Sequence, residues 1–161
     1  MLKPYDLGMI CGRFQTPTIG HESLFNTASL LCDRVLIFVG SAQEVGTERN
    51  PYDVGTRIEM IQSIVGINGI FTVKPLNDLT NEGDITPQWG KYLLQNCKRV
   101  MHKLPEVMIY GNDESRSLWF AKEDIKDMTE VIINRGKIDI SATRVRQMMV
   151  EDNREEWQKM G

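Results

Sequence analysis

Apolar positions along the chain switch between two periods, and each switch marks an element. The run 7–11 reads as a strand, and Leu24, Phe25, Ala28 and Leu31 then recur on one face of a helix. Residues 34–40 return to a continuous apolar run, the kind that is covered on both faces in a parallel sheet. A helix starting near Asp53 buries Ile58, Ile61, Ile64 and Val65 and stops at Gly66, and a third strand follows over 70–73. Thr86-Pro87 starts the next helix, with proline at its first position. Trp89, Tyr92, Leu93, Cys97, Val100 and Leu104 follow at helical spacing, and Pro105 closes that helix. Strands over 107–110 and 129–133 flank a short helix over 115–122, and a last helix is capped by Ser141 and carries Val145, Met148 and Met149. Residues 153–160 are weakly helical.

Five alternations of strand and helix predict an α/β fold, a doubly wound parallel sheet of about five strands with right-handed crossovers. A chain of 161 residues, 41% of them apolar, supports one domain over 1–161 that buries roughly 70% of its unfolded surface, and not two cores. In such sheets ligands bind beyond the carboxyl ends of the strands. Chemistry is therefore sought in the loops that follow each strand.

Charge and composition narrow the choice. With 19 basic and 22 acidic residues and a net charge of −3, nothing draws the chain as a whole to nucleic acid or to an anionic membrane, so a positive site must be local. The sequence has no apolar run long enough to span a bilayer and no secretory leader, and a cytoplasmic location is expected. Cys11, Cys32 and Cys97 are widely spaced in apolar surroundings and read as reduced core thiols. The two histidines, His21 and His102, have no zinc spacing; His102 reads as a surface residue within a helix.

Two loops carry the candidate chemistry. Gly12-Arg13-Phe14-Gln15-Thr16-Pro17-Thr18-Ile19-Gly20-His21 joins the first strand to the first helix. Glycine there lets an anion approach the backbone, where N–H groups and the helix dipole converge. The spacing is neither the Walker pattern nor G-x-G-x-x-G. Near the other end, Ile140-Ser141-Ala142-Thr143-Arg144-Val145-Arg146 offers two hydroxyls and an arginine one turn into a helix, or else simply a capped amphipathic helix. Trp89, at the first turn of a helix whose other apolar positions are core, reads from the residues alone as a core residue, and Arg57 and Glu59 fit a solvated helix face as well as a motif.

Thr18-Ile19-Gly20-His21 resembles the (H/T)-x-G-H signature of the nucleotidylyltransferase superfamily, and Ile140 to Arg146 resembles its I-S-x-T-x-x-R signature. Between them, Gly40-Ser41-Ala42-Gln43, Arg49-Asn50-Pro51-Tyr52, 55–60, Pro75 with Asp78, Trp89 and Gly111-Asn112 fall in the order of the archaeal-type nicotinamide mononucleotide (NMN) adenylyltransferases. The resemblance covers about 7–149. It implies a Rossmann-like domain that joins ATP to NMN with Mg²⁺, giving NAD and pyrophosphate.

By position, the resemblance places Arg13, Thr18, His21 and Arg146 on the ATP phosphates as catalytic groups. Gly12, Phe14, Gly20, Gly111, Asn112, Ile140, Ser141 and Thr143 complete the ATP site. Ser41, Gln43, Arg49 and Asn50 serve NMN, with Asp78 and Trp89 holding the nicotinamide. The expected assembly is a homo-oligomer. Three departures stand out: Thr18 where this branch has His, proline one place late at Pro17, and a longer interval from Asp78 to Trp89. An adenylyl- or cytidylyltransferase for another phosphorylated substrate, such as pantetheine phosphate, or a catalytically weak nucleotide sensor, remains open.

Overall fold

A computed structural model describes residues 3–14, 17, 19–43, 46, 52–66, 69–78, 87–111 and 120–133. Its elements, in order, are β1 (Tyr5–Gly12), α1 (Ile19–Leu31), β2 (Cys32–Val39), α2 (Val54–Val65), β3 (Phe71–Pro75), α3 (Pro87–Met101), β4 (Val107–Gly111) and β5 (Thr129–Ile133). All strand pairs are parallel, in the order β3-β2-β1-β4-β5. The chain thus winds outward from β1 on one side, then returns through α3 to β4 on the other. The carboxyl ends of β1 and β4 are where the order reverses, the crevice in which such sheets hold ligands.

Alternation along each strand builds two cores. Ile10, Val35, Ile37, Val39, Val107 and Ile109 pack with Leu24, Phe25 and Ala28 of α1 and Ile61 of α2. Leu7, Met9, Leu36, Phe38, Met108 and Tyr110 face the other way, against Leu93, Leu94 and Cys97 of α3. The doubly wound sheet expected from the sequence is therefore present. Cys32 and Cys97 are buried and unbridged, and burial pushes their thiols up to about 11 and about 12, so both stay reduced and inert.

Three sequence expectations need correction. Ile64 is 37% exposed, because the buried stripe of α2 runs Val54, Arg57, Ile58, Ile61, Val65 and places Ile64 on its outer side. The helix expected to reach Leu104 ends at Met101: His102 turns left-handed (φ 63°), its N–H closes on the Lys98 carbonyl at 2.9 Å, and Leu104 is 44% exposed. His102 is thus a surface residue after the helix and not within it. The helix expected over 115–122 lies mostly outside the described residues, and its described end, 120–122, is not helical. The helices expected from Ser141 onward also lie outside them.

The amino-terminal end of the sheet is clasped by charge. Asp6 accepts from Arg34 at 3.0 Å and from Lys103 at 2.9 Å, and Glu106 accepts from the Asp6 backbone N–H at 2.8 Å. These contacts join β1 to β2 and to the turn before β4. The Arg34 and Lys103 bonds hold the Asp6 carboxyl down at about 2. This clasp lies at the opposite end of the strands from the loops considered next.

Candidate functional site

The loops beyond β1, β2 and β3 are laced together through their backbones. Gly40 N donates to Gly12 O at 2.7 Å, Leu76 N to Val39 O at 2.9 Å, and Ala42 N to Leu76 O at 3.1 Å. Residues far apart in sequence therefore share one rigid rim.

At the end of β1, Gly12 and Phe14 interlock. Phe14 adopts a left-handed backbone (φ 51°), an unusual state for an aromatic residue, and this folds its ring back over Gly12. A Cβ at Gly12 would stand 2.9 Å from the Phe14 ring, so only glycine leaves the space. The ring is buried, 5.7 Å from Phe25 and edge-on to His21 at 5.0 Å. His21 lies in the first turn of α1, half-buried, with Phe14 packed against its imidazole, and Arg13, also half-buried, follows β1 in the same loop. Gly20 belongs to the same first turn, at the positive end of the helix dipole.

Beyond β2 and β3 a second group forms. Ser41, also left-handed (φ 49°) and buried, donates its hydroxyl to the Asp78 carboxylate at 2.9 Å. Gln43 grips the same residue twice, donating Nε2 to Oδ2 at 2.9 Å and accepting from Asp78 N at 3.0 Å. Beside them Tyr92 donates its hydroxyl to Asn77 O at 2.8 Å, and Trp89 packs edge-on to Tyr92 at 5.8 Å. Burial, with help from the Asp78 charge, pushes the Tyr92 phenol up, so it remains a neutral donor. Trp89 is 5% exposed, which leaves at most an edge of the indole to a ligand.

Sequence reasoning placed Ser41, Gln43, Asp78 and Trp89 together, and the fold brings the first three into direct contact with Trp89 linked through Tyr92 and Asn77. It places Gly12, Arg13, Phe14, Gly20 and His21 in one loop and helix start, and Gly111 at the end of β4 across the switch point. Thr18, Arg49, Asn50, Asn112, Ile140, Ser141, Thr143 and Arg146 lie outside the described residues. Arg57 is the residue whose place the sequence left undecided. It is fully buried, with its guanidinium among backbone carbonyls of both loops, and not on a solvated face. Tyr92 and Asn77 were also missed, since a backbone carbonyl acceptor leaves no mark in sequence.

A parallel sheet wound in both directions, with an anion-suited loop at its switch point, is the frame of a nucleotide-handling α/β protein. Residues 9–155 match the family described as cytidylyltransferase-like, and the chain belongs to that family. Within it, the chain is similar to the nicotinamide-nucleotide adenylyltransferase of Archaeoglobus fulgidus, with 28% identity in an alignment of 155 positions that covers 92% of this chain and 81% of that one. The same-named enzyme of Pyrococcus furiosus is 28% identical over 158 residues, 95% of this chain and 77% of that one. A bifunctional NMN adenylyltransferase/ADP-ribose pyrophosphatase from Francisella tularensis, solved with AMP and a manganese ion, shares the fold with a TM-score of 0.70 at 21% identity. The match covers 89% of this chain and 41% of that protein.

Proposed function

We propose that this protein transfers the adenylyl group of ATP to NMN, releasing pyrophosphate and forming NAD. The observation that carries this reading is the pairing on one sheet rim of an anion-suited loop, Gly12 to His21, with a buttressed carboxylate beside an aromatic pair, Asp78 with Trp89 and Tyr92. The archaeal relatives, named for this activity and matched over most of their length, support it.

Adenylyl transfer needs no protein nucleophile. An oxygen of the NMN phosphate attacks the α-phosphorus of ATP, a new P–O bond forms, and the bond to the β-phosphate breaks as pyrophosphate leaves. The protein supplies alignment and donors to developing charge. On this reading Arg13, Thr18, His21 and Arg146 hold the phosphates, and Ile140, Ser141 and Thr143 complete the ATP site. Gly12, Gly111 and Asn112 border the adenosine. Phe14, being buried, serves by seating His21. Arg49 and Asn50 meet the NMN phosphate side, while Ser41 and Gln43 act by aiming Asp78 at the nicotinamide.

A divalent ion, Mg²⁺ in the expected case, accompanies the triphosphate and screens its charge. Among the described residues no three His, Cys, Asp or Glu side chains gather as a ligand set, and no step is assigned to the ion.

Asp78 also bears on selectivity. A fixed carboxylate accepts from a carboxamide and favours the cationic pyridinium, whereas it repels the carboxylate that nicotinate mononucleotide carries in place of that carboxamide. NMN is therefore the preferred acceptor. The test is to mix the pure protein with ATP, Mg²⁺ and either mononucleotide, following the dinucleotide by chromatography and pyrophosphate by a coupled assay. ATP binding without pyrophosphate release would replace the reading with a nucleotide sensor, and turnover of pantetheine phosphate alone would replace the acceptor. Light scattering on the same sample checks the expected homo-oligomer.

A further inference from the structure

We infer that Arg57 is a positioning residue that sets both halves of the site at once. Its guanidinium is fully buried and bonds to carbonyls from three segments. Nη1 donates to Arg13 O at 2.8 Å and to Gly40 O at 2.7 Å, and Nη2 donates to Ser41 O at 3.1 Å. Nε points back to Tyr52 O at 3.1 Å and Asp53 O at 3.3 Å, at the start of its own helix. That start is fixed independently by the Asp53 carboxylate, which caps Thr56 N at 2.7 Å.

The bonded carbonyls are the ones that matter for conformation. Arg13 O belongs to the peptide that leads into Phe14, and Gly40 O to the peptide that leads into Ser41. Phe14 and Ser41 are the left-handed residues of the two loops, with φ of 51° and 49°. Non-glycine residues hold such angles only where their surroundings over-determine them. Arg57 supplies that constraint to both. Through Phe14 it reaches the imidazole of His21, and through Ser41 it reaches the carboxylate of Asp78. A rigid planar fork can address carbonyls in several directions together, which a lysine ammonium on a flexible stem cannot.

The kcat and NMN readouts rest on the adenylyltransferase reading; binding of ATP by calorimetry needs only a nucleotide site, and the parent protein is assayed first so that failure of that reading shows by itself. Arg57→Lys keeps the charge but gathers the donors on a single nitrogen, and is expected to fold while losing roughly thirtyfold or more in kcat, given that displacements near 1 Å in a site cost up to about a hundredfold. Affinity for ATP and for NMN should fall together. In Arg57→Gly, millimolar guanidinium should restore rate in a saturable way, and methylammonium at the same concentration should not.

A purely structural role predicts otherwise. Arg57→Lys or Arg57→Met would then lower the thermal midpoint yet retain parental kcat and both affinities, and that result overturns the inference. So does a lysine variant that weakens one substrate and spares the other, because the coupling would be absent. If Arg57→Gly or Arg57→Met does not fold, Arg57→Lys alone decides between these outcomes.

Discussion

Replacing Gly12 with alanine places one methyl group where the Phe14 ring lies. The added carbon would meet ring atoms at 2.9, 3.1 and 3.4 Å, so the ring must retreat by about half an ångström to reach ordinary contact. Gly12 itself is not among the positive-φ glycines, so the penalty is contact and not torsion. The ring has little room to retreat, since it is 3% exposed and already touches Phe25 and His21. Overpacking of this kind costs about 1–3 kcal/mol. At about 2–4 °C per kcal/mol for a chain of this size, Tm should fall by roughly 3–10 °C, read by scanning calorimetry. Because the displaced ring carries His21 with it, kcat for NAD formation should fall about tenfold. Adding Phe14→Leu relieves the clash and should return much of the lost Tm while kcat stays low, since His21 has then lost its ring support. Parental Tm and kcat in Gly12→Ala would show that the ring does not sit over Gly12, and the link from Phe14 to His21 would fall with it.

His21→Ala should lower kcat roughly a hundredfold or more with Tm nearly unchanged, because a donor to developing phosphate charge contributes about 3 kcal/mol in the transition state; normal turnover would remove His21 from catalysis. Trp89→Ala should raise the KM for NMN roughly tenfold and leave that for ATP nearly unchanged, and because the ring is buried it should also lower Tm by several degrees. A fall in Tm with no change in KM would make Trp89 a core residue only. At the other end of the sheet, the Asp6 carboxyl is held down at about 2 from an ordinary 3.8. Its stabilisation is therefore complete above about pH 4 and is lost as pH falls through the folded value. Both partners are about 40% exposed, so solvent screening keeps the contribution near 1 kcal/mol or less. Asp6→Asn should then lower Tm by roughly 2–4 °C at pH 7 and flatten the acid limb between pH 4 and 2, as followed by circular dichroism; an unchanged acid limb would show that the clasp is idle.

Much of the frame was legible because period and strand order follow from burial. β2 and β4 are covered on both faces and read as unbroken apolar runs, and Asp53 and Gly66 mark the ends of α2 as cap and stop. Two of the errors share one physical origin. Leu104 and Ile64 are apolar residues at positions the period allows, but tertiary packing leaves them outside, and no local pattern distinguishes a covered leucine from an uncovered one. Arg57 shows the converse. It lies three residues after Val54 and four before Ile61, on the stripe that the fold buries, yet the sequence left it undecided because its charge fits a solvated face equally well. What settles its place is tertiary, since the carbonyls that satisfy the guanidinium come from loops 16 to 44 residues away in sequence. The contact of Ser41 and Gln43 with Asp78 was foreseen as proximity, but its form, two side chains holding a third, depends on where β3 ends relative to β2.

The sign of charge along the rim explains how a chain with a net charge of −3 can serve two anionic substrates. The helix start of α1 lies with Arg13 and His21 at the end of β1, though Glu22 shares its first turn, while the Asp78 carboxylate is fixed at the end of β3, with β2 between them. On the adenylyltransferase reading, NMN is itself a dipole, with phosphate at one end and a cationic ring at the other. Laid along this rim, it gains at both ends in one orientation and loses at both in the reverse. The favoured orientation turns its phosphate toward the loop that holds ATP, which is the alignment in-line displacement requires. A site built only from positive charge would bind the two anions but would not choose that orientation. On that reading the carboxylate, which at first sight opposes anion binding, would contribute direction, and the lacing through Gly12, Gly40 and Arg57 would keep the two poles at the separation on which that direction depends.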